Sequence, residues 1–248
     1  MSIPVGEIEV PGRVRGLAEG DPLDAVWTNA IGGLTFRATG RTADSHGDRF
    51  LKWGPRHLET SMADEADRLA WAAPFIPVPE VLEHGSDATH EWLVTRALPG
   101  RSAVDPRWIA DPETAVRAVG QGLRALHDAL PVDGCPFDWG VPARIANARR
   151  RGVVVPATMH EAPPIDRLVV CHGDACVPNT LIDDAGAWVG HVDLGALGVA
   201  DRWADLAVAA MSTEWNYGPG WADALVAAYG VEPDPVRAAY YRDLWNAT

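Results

Sequence analysis

The sequence predicts an α+β fold of two lobes, a small β-rich lobe over residues 1–97 and a mainly helical lobe over residues 98–248. In the first lobe, apolar and polar residues alternate over residues 34–38, as they do in a half-buried strand. In the second lobe, apolar residues recur at helical spacing over residues 115–130. A strand–turn–strand pattern centred near residue 185 predicts one β-hairpin inside the helical lobe.

The elements of the first lobe follow one another closely. Three strands are predicted within residues 22–54, and Gly32 with Gly33 marks the turn between the first two. A helix is predicted over residues 61–73, because Ser61 can cap its first turn and apolar residues then share one face. Two more strands follow, and the second of them, EWLVTRALPG, ends in a Pro-Gly pair. The first lobe is therefore predicted to carry one helix beside its strands.

Helices dominate the second lobe. Asp111 followed by Pro112 is a favourable helix start, because aspartate caps the first turn and proline fits within it. Further helices are predicted at RIANARRRG, over residues 202–214 and 219–230, and at DPVRAAYYRDLW. The lobe is therefore predicted to be mainly helical, with one β-hairpin inside it.

Composition limits the partners and the location of the protein. The net charge is −13 and no basic face is evident, so duplex nucleic acid is excluded as a partner. The acidity fits either a cationic partner or a surface that only keeps the protein in solution. The sequence has no apolar run of about 18 residues and no basic-then-apolar leader. We therefore expect a cytoplasmic protein that does not span a membrane.

The stretch HGDACVPN, residues 172–179, leaves an apolar run and at once presents polar side chains. The β segments behind it turn near residue 185 or 186, midway between Asn179 and Asp193. An antiparallel hairpin would place these two residues opposite each other, about 5 Å apart, so that an amide oxygen and a carboxylate share one cation. Asp174 lies in the loop that enters the hairpin, within reach of the same place.

Phosphoryl transfer requires this set of residues. Mg²⁺ bridges the nucleotide phosphates, while a separate aspartate orients the attacking hydroxyl and accepts its proton. A single HGD triplet is weak evidence, because isolated aspartates are usually caps or turn residues. HGD followed by an asparagine, a hairpin and DLG is a far more specific combination. The sequence therefore indicates a kinase that uses ATP and Mg²⁺.

With these motifs the sequence resembles the aminoglycoside phosphotransferase family, and within it the 3′-phosphotransferase-type enzymes. The resemblance extends from about residue 25 to residue 245 and is strongest in VVCHGDACVPN and VDLGALGVADRWADLA. It implies a two-lobed, protein-kinase-like fold. The β-rich lobe would bind the nucleotide, and the helical lobe would carry the catalytic residues and the acceptor site.

The resemblance also implies roles for individual residues. Asp174 matches the catalytic base, and Arg202 matches an arginine behind the metal-binding aspartate. Asn179 and Asp193 match the magnesium ligands. A purely structural alternative is that Arg202 and Asp205 pair with each other on their helix.

On the nucleotide side, Lys52 matches the strand lysine that contacts the α- and β-phosphates. Its implied helix partner is Glu65, with Glu59 as the less favoured substitute. In the hinge VTRA, the resemblance implies that the backbone groups of Val94, Arg96 and Ala97 bind the nucleotide. In the phosphate loop NAIGGLT, it implies the same for Gly32 and Gly33.

The acceptor is the least determined part of the prediction. The resemblance implies a cationic aminoglycoside, bound by a monomer or homodimer, and antibiotic resistance as the role. Carboxylates are scarce where such enzymes hold their acceptor, which leaves Glu161 and Asp243, with Trp215, Trp221 and Trp245 as apolar contacts. A kinase of another small hydroxylated metabolite or antibiotic is an alternative. A nucleotide-binding module without turnover is another, although the intact catalytic set conflicts with it.

Overall fold

The computed structural model describes residues 6, 8–29, 31–40, 47–58 and 61–248. The chain divides into two compact units, a first unit of residues 1–73 and 79–98 and a second unit of residues 74–78 and 99–248. The first is built on an antiparallel sheet and the second is mainly helical, which confirms the predicted α+β class. The functions assigned to the two predicted lobes stay predictions.

The first unit consists of one sheet and two helices in its described part. In chain order these are α1 (Gly12–Leu17), β1 (Leu23–Thr28), β2 (Leu34–Ala38), β3 (Arg49–Pro55), α2 (Met62–Ala72), β4 (Val81–Ser86) and β5 (His90–Arg96). The strands pair antiparallel in the order β1-β2-β3-β5-β4. Helix α1 adds to the single helix predicted here. Its six residues include two glycines, which are poor helix formers, so the sequence carries little helical signal there.

Alternation along the strands separates the two faces of this sheet. Phe36, Leu51 and Val94 are buried in one cluster with Val14 of α1. Lys52 follows Leu51, so its side chain leaves the sheet on the opposite face. Helix α2 begins where predicted, because the Ser61 hydroxyl accepts a hydrogen bond from the Asp64 N–H at 3.1 Å.

The second unit contains most of the helices. In chain order its elements are β6 (Arg101–Ser102), α3 (Pro106–Ile109), α4 (Pro112–Ala129), α5 (Val141–Arg150), β7 (Leu168–Cys171), β8 (Thr180–Ile182), β9 (Trp188–His191), β10 (Gly198–Asp201), α6 (Trp203–Tyr217), α7 (Ala222–Tyr229) and α8 (Pro235–Ala247). Short 3₁₀ turns lie at Ala157–His160 and Val177–Asn179. Asp111 caps α4, as predicted, by accepting the Thr114 N–H.

The second unit contains more β structure than the one predicted hairpin. Strands β8 and β9 do form the hairpin, but β6 adds a third strand beside β8. Strands β7 and β10 form a separate two-stranded sheet. These additional strands are two to four residues long, too short for an alternating pattern to show in the sequence.

Two glycines of α4 let neighbouring elements pack directly against the backbone of this helix. A Cβ atom on Gly120 would lie 2.8 Å from the Leu225 carbonyl oxygen and 3.0 Å from the Tyr229 nitrogen, both on α7. A Cβ atom on Gly122 would lie 2.4 Å from the Trp188 ring on β9. Helix α4 is therefore the scaffold on which α7 and the hairpin are placed.

Candidate active site

In the first unit, Lys52 and Glu65 form an ion pair between β3 and α2. The Lys52 Nζ atom lies 2.7 Å and 2.9 Å from the two carboxylate oxygens of Glu65. The pair is mostly shielded, with 23% and 11% of the two side chains exposed. Glu59, the less favoured partner, lies outside the described residues. The structure thus joins the lysine and the glutamate that the resemblance implied.

The turn between β1 and β2 is organised by Asn29, which the sequence analysis did not single out. Its Oδ1 atom accepts the N–H groups of Ile31, at 3.2 Å, and Gly33, at 2.6 Å. Gly32 has a φ of +85°, a conformation that glycine adopts without strain. Gly33 lies against Gly54 of β3, whose Cβ would come within 3.0 Å of it. Residue 30 of this loop lies outside the described residues.

The hinge residues use their N–H groups within the first unit. The Arg96 N–H donates to the Glu80 carbonyl at 2.9 Å, and the Ala97 N–H donates to the Asp48 carbonyl at 2.8 Å. Val94 pairs with strands on both sides and its side chain is buried in the core. The N–H groups of Arg96 and Ala97 are therefore already used inside the first unit, and the binding of a nucleotide base at the hinge stays a prediction.

In the second unit, the loop after β7 carries Asp174. Gly173, with a φ of +84°, turns the chain so tightly that a Cβ atom would lie 2.1 Å from the Ala196 carbonyl oxygen. One oxygen of Asp174, Oδ1, is buried without a hydrogen-bond partner among the described residues. The Asn179 Nδ2 atom donates to the Asp174 main-chain carbonyl at 2.9 Å. Buried carboxylate oxygens normally accept a hydrogen bond, so Asp174 Oδ1 is able to accept one from a hydroxyl group.

The hairpin register differs by one residue from the predicted one. Thr180 pairs with His191, and the Val192 N–H donates to the Asn179 carbonyl at 3.0 Å. Asn179 therefore lies opposite Val192, and Asp193 is one residue further on. The hairpin also has an irregular step, at which Val189 of β9 is left without a partner residue in β8, and the sequence does not reveal it. At Asp193 the backbone has a φ of +63°, a left-handed conformation that is uncommon outside glycine.

Asn179 and Asp193 fit a magnesium ion by their chemistry. The Asn179 amide nitrogen is occupied by the Asp174 carbonyl, so its oxygen remains as the atom that can bind a cation. An amide oxygen and a carboxylate are hard ligands of the kind Mg²⁺ prefers. The strained backbone at Asp193 is a feature that tends to occur at functional sites.

Asp205 on α6 fixes the loop of residues 172–177, which we call the catalytic loop after the predicted role of Asp174. This contact was not predicted from the sequence. The Asp205 Oδ2 atom accepts the His172 N–H at 2.6 Å and its Oδ1 atom accepts the Gly173 N–H at 3.0 Å. His127 of α4 lies 3.0 Å from Oδ2. Burial alone would raise the pKa of the Asp205 carboxyl, but His127 and the Gly173 N–H outweigh it and the pKa is lowered. A fully buried carboxylate thus fixes the backbone just before Asp174.

His172 connects the catalytic loop to the end of the hairpin. Burial lowers the pKa of its ring, so the imidazole is neutral. Its Nδ1 atom accepts the Asp174 N–H at 3.3 Å, and its Nε2 atom lies 3.0 Å from the Val192 carbonyl. Since a carbonyl only accepts, the proton is on Nε2. His172 therefore links the backbone of Asp174 to the residue that precedes Asp193.

The alternative that Arg202 pairs with Asp205 was wrong. The Arg202 guanidinium instead lies 2.6 Å from the Asp166 carboxylate, which also accepts the Trp203 indole N–H at 3.1 Å. Asp205 points inward and is completely buried, whereas the long Arg202 side chain extends to the half-exposed Asp166. Arg202 thus anchors the segment that leads into β7.

The residues predicted to bind the acceptor are placed in different surroundings. Glu161 is exposed after a 3₁₀ turn. Asp243 accepts the Arg242 guanidinium at 3.0 Å, and the Trp245 ring lies 5.8 Å from the Arg144 guanidinium. Two of the three therefore already have a cationic neighbour inside the chain.

No helix in the described ranges is long and apolar enough to cross a membrane.

A family model described as the phosphotransferase enzyme family matches residues 27–153 and 140–241. The chain is 37% identical to an aminoglycoside 3′-phosphotransferase of Streptomyces fradiae, over 85% of this chain and 89% of that protein.

Two solved structures are also similar. An aminoglycoside-3′-phosphotransferase of type VIII has a TM-score of 0.77 and 30% identity, covering 95% of this chain and 97% of that one. An aminoglycoside phosphotransferase of Streptomyces rimosus, in complex with ADP and streptomycin, has a TM-score of 0.67 and 27% identity, covering 92% and 93%.

Proposed function

The chain belongs to the phosphotransferase enzyme family, and we propose that it transfers the γ-phosphoryl group of ATP to a hydroxyl group of an aminoglycoside. The relatives named for this activity cover most of the chain. The observation that carries the proposal is the unpartnered Oδ1 atom of Asp174, on a loop whose preceding N–H groups are fixed by Asp205.

Asp174 acts on the acceptor. Its carboxylate accepts the proton of the acceptor hydroxyl while that oxygen forms a bond to the γ-phosphorus. The bond between this phosphorus and the bridging oxygen breaks, and ADP leaves with the electron pair. Little covalent chemistry is needed from the protein, so the contribution of the loop is to hold the carboxylate at the right place.

Lys52, Asn179 and Asp193 act on the nucleotide. Lys52, oriented by Glu65, donates to the phosphates. Asn179 and Asp193 would hold Mg²⁺, which when bound neutralises charge on the phosphates. The carbonyl groups of the hinge accept from the adenine amino group. Arg202 contributes by fixing the approach to β7, consistent with its bond to Asp166.

For the acceptor, Trp215 of α6 is the tryptophan that we favour, because Trp221 packs against the core of the second unit. Trp215 is 59% exposed, a large value for this side chain, whereas Trp245 lies against Arg144. Helix α6 borders the catalytic loop, since the Ser212 hydroxyl accepts the Val177 N–H at 3.0 Å. An indole face can stack on a sugar ring or attract an ammonium group. Glu161 supplies a carboxylate, and Asp243 one that Arg242 partly neutralises.

This last feature favours a second candidate, a kinase of another small hydroxylated compound. A strongly cationic acceptor needs anionic partners, and the Asp243 carboxylate is already paired with the Arg242 guanidinium. A less basic acceptor would need only Trp215 and hydrogen bonds. In either case we place the reaction in the cytoplasm, where ATP is available, and in a monomer or homodimer.

The test is ADP release from Mg-ATP with a panel of aminoglycosides, other hydroxylated antibiotics, sugars and amino alcohols. Turnover with kanamycin or streptomycin that Asp174→Asn abolishes supports the first candidate. Turnover only with uncharged acceptors supports the second. In the active pair, Trp215→Ala should raise the acceptor KM about tenfold and leave the ATP KM unchanged. A wild type that binds ATP but phosphorylates nothing contradicts both.

A further inference from the structure

A chain of buried hydrogen bonds leads from α7 to the catalytic loop. The Tyr229 hydroxyl lies 2.8 Å from His127 Nδ1, and His127 Nε2 lies 3.0 Å from Asp205 Oδ2. The three residues are 1%, 3% and 0% exposed. The last hydrogen bonds of this series are those that the Asp205 carboxylate accepts from the N–H groups of His172 and Gly173. We call these three side chains the buried network.

The direction of the bond to Asp205 follows from the protons available. A carboxylate only accepts, so His127 Nε2 carries the proton that Asp205 receives. His127 Nδ1 and the Tyr229 hydroxyl share the other bond of the ring. Burial raises the pKa of Tyr229 to about 12, so the hydroxyl keeps its proton at neutral pH. The bond from His127 therefore points towards Asp205, and the Tyr229 hydroxyl holds the other nitrogen of the same ring.

Tyr229 is itself held in place by two residues of α4, Gly120 and Arg124. The absence of a side chain on Gly120 lets the Tyr229 backbone approach α4, which also carries His127. The Arg124 guanidinium lies 5.6 Å from the Tyr229 ring centre and donates to its carbonyl at 3.4 Å. A fixed hydroxyl is thus presented to the His127 ring, beyond reach of solvent.

We propose that Tyr229 is a positioning residue for catalysis, a role that rests on the proposed phosphotransferase function. Its hydroxyl stops the His127 ring from rotating about the Cβ–Cγ bond, so that Nε2–H stays directed at Asp205. Asp205 in turn keeps the two N–H groups that place Asp174. Without the hydroxyl, the catalytic loop loses a fixed support that lies three hydrogen bonds away.

The first test compares Tyr229→Phe with Tyr217→Phe. Tyr217 is a matched control because its hydroxyl also makes one hydrogen bond inside the second unit, to the Ala103 carbonyl at 2.6 Å. One neutral hydrogen bond corresponds to a factor of about five, so Tyr229→Phe should lower kcat about fivefold with both KM values unchanged. Tyr217→Phe should stay within about twofold. Equal kcat values in the two variants would overturn the proposal.

The second test asks whether Tyr229 acts through His127. In His127→Gln the side-chain amide can still donate to Asp205, but no atom takes the place of Nδ1, so the hydrogen bond with the Tyr229 hydroxyl is lost. Tyr229→Phe should therefore have no further effect on kcat in that background. A fivefold loss that persists there would show that Tyr229 acts elsewhere, and would refute the proposal.

A third readout needs no acceptor and separates the two proposals. Amide hydrogen exchange of Gly173 should be faster in Tyr229→Phe than in Tyr217→Phe, measured relative to amides of α4 to correct for global stability. Equal Gly173 exchange in both variants contradicts the positioning role. A wild type that phosphorylates no acceptor contradicts the proposed function instead, and the exchange comparison then decides the role of Tyr229 alone.

Discussion

Replacing Asp205 by asparagine tests whether one buried carboxylate holds the catalytic loop. Its Oδ2 atom accepts two N–H groups, from His172 and His127, while Oδ1 accepts only the Gly173 N–H. The asparagine oxygen should therefore take the position of Oδ2. Its NH₂ group then faces the Gly173 N–H, so one hydrogen bond becomes a contact between two donors and the other two lose their charge.

The expected loss can be worked out bond by bond. A buried N–H without an acceptor costs about 1–3 kcal/mol, and hydrogen bonds to charged groups exceed neutral ones by about 1 kcal/mol each. The free energy of unfolding should thus fall by about 3–5 kcal/mol at pH 7. Because Gly173 directly precedes Asp174, the loop should move, and a misplacement near 1 Å lowers kcat about 100-fold.

The assay is urea unfolding together with initial rates corrected for the folded fraction. Asp201→Asn is the matched control, because Asp201 is also buried and accepts two backbone N–H groups, from Asp166 at 2.7 Å and Trp203 at 2.9 Å. It should lose stability but keep kcat within about threefold. Wild-type kcat in a folded Asp205→Asn protein, or equal loss of kcat in both variants, would refute the reasoning.

Three further predictions concern single residues. Lys52→Met should lower kcat at least about 100-fold in an ADP-release assay without lowering the urea midpoint; a smaller loss would remove Lys52 from the phosphate site. Burial lowers the pKa of His191 to about 3, so only the unfolded chain takes up this proton below about pH 6.5. The titration of His191 should therefore lower the free energy of unfolding by about 1.4 kcal/mol per pH unit from pH 6.5 downwards. Between pH 7 and pH 5, the free energy of urea unfolding should fall less in His191→Gln than in wild type. Gly120→Ala should lose about 2 kcal/mol in thermal unfolding, because its Cβ meets the Leu225 carbonyl, whereas Gly16→Ala, with nothing within 4 Å, should not; equal effects would contradict the close packing of α4.

The sequence predicted the parts of the site that local patterns determine. Alternation in the strands places Lys52 on the face opposite Leu51, and the HGD and DLG motifs mark Asp174 and Asp193. The hairpin itself was predicted, but its register was one residue off. An irregular step in a strand depends on twist and on cross-strand contacts, which a single sequence does not display.

The hydrogen bond between Asp205 and His127 was not predicted, although the sequence held a signal for both residues. Each lies on the mainly apolar buried face of a helix, and a charged or polar residue at such a position needs a partner. The identity of the partners depends on how α4 and α6 pack, which is tertiary information. Lys52 held another overlooked signal, because it is the only lysine among 21 basic residues.

The most direct test of the central claim is to identify the phosphorylated product. Purified protein, Mg-ATP and kanamycin or streptomycin should give one new phosphate monoester, detected by ³¹P NMR and as a single added phosphate by mass spectrometry. The Asp174→Asn protein should still bind ATP but form none of it. Equal product from wild type and Asp174→Asn, or ATP hydrolysis with no phosphorylated acceptor, would contradict the account.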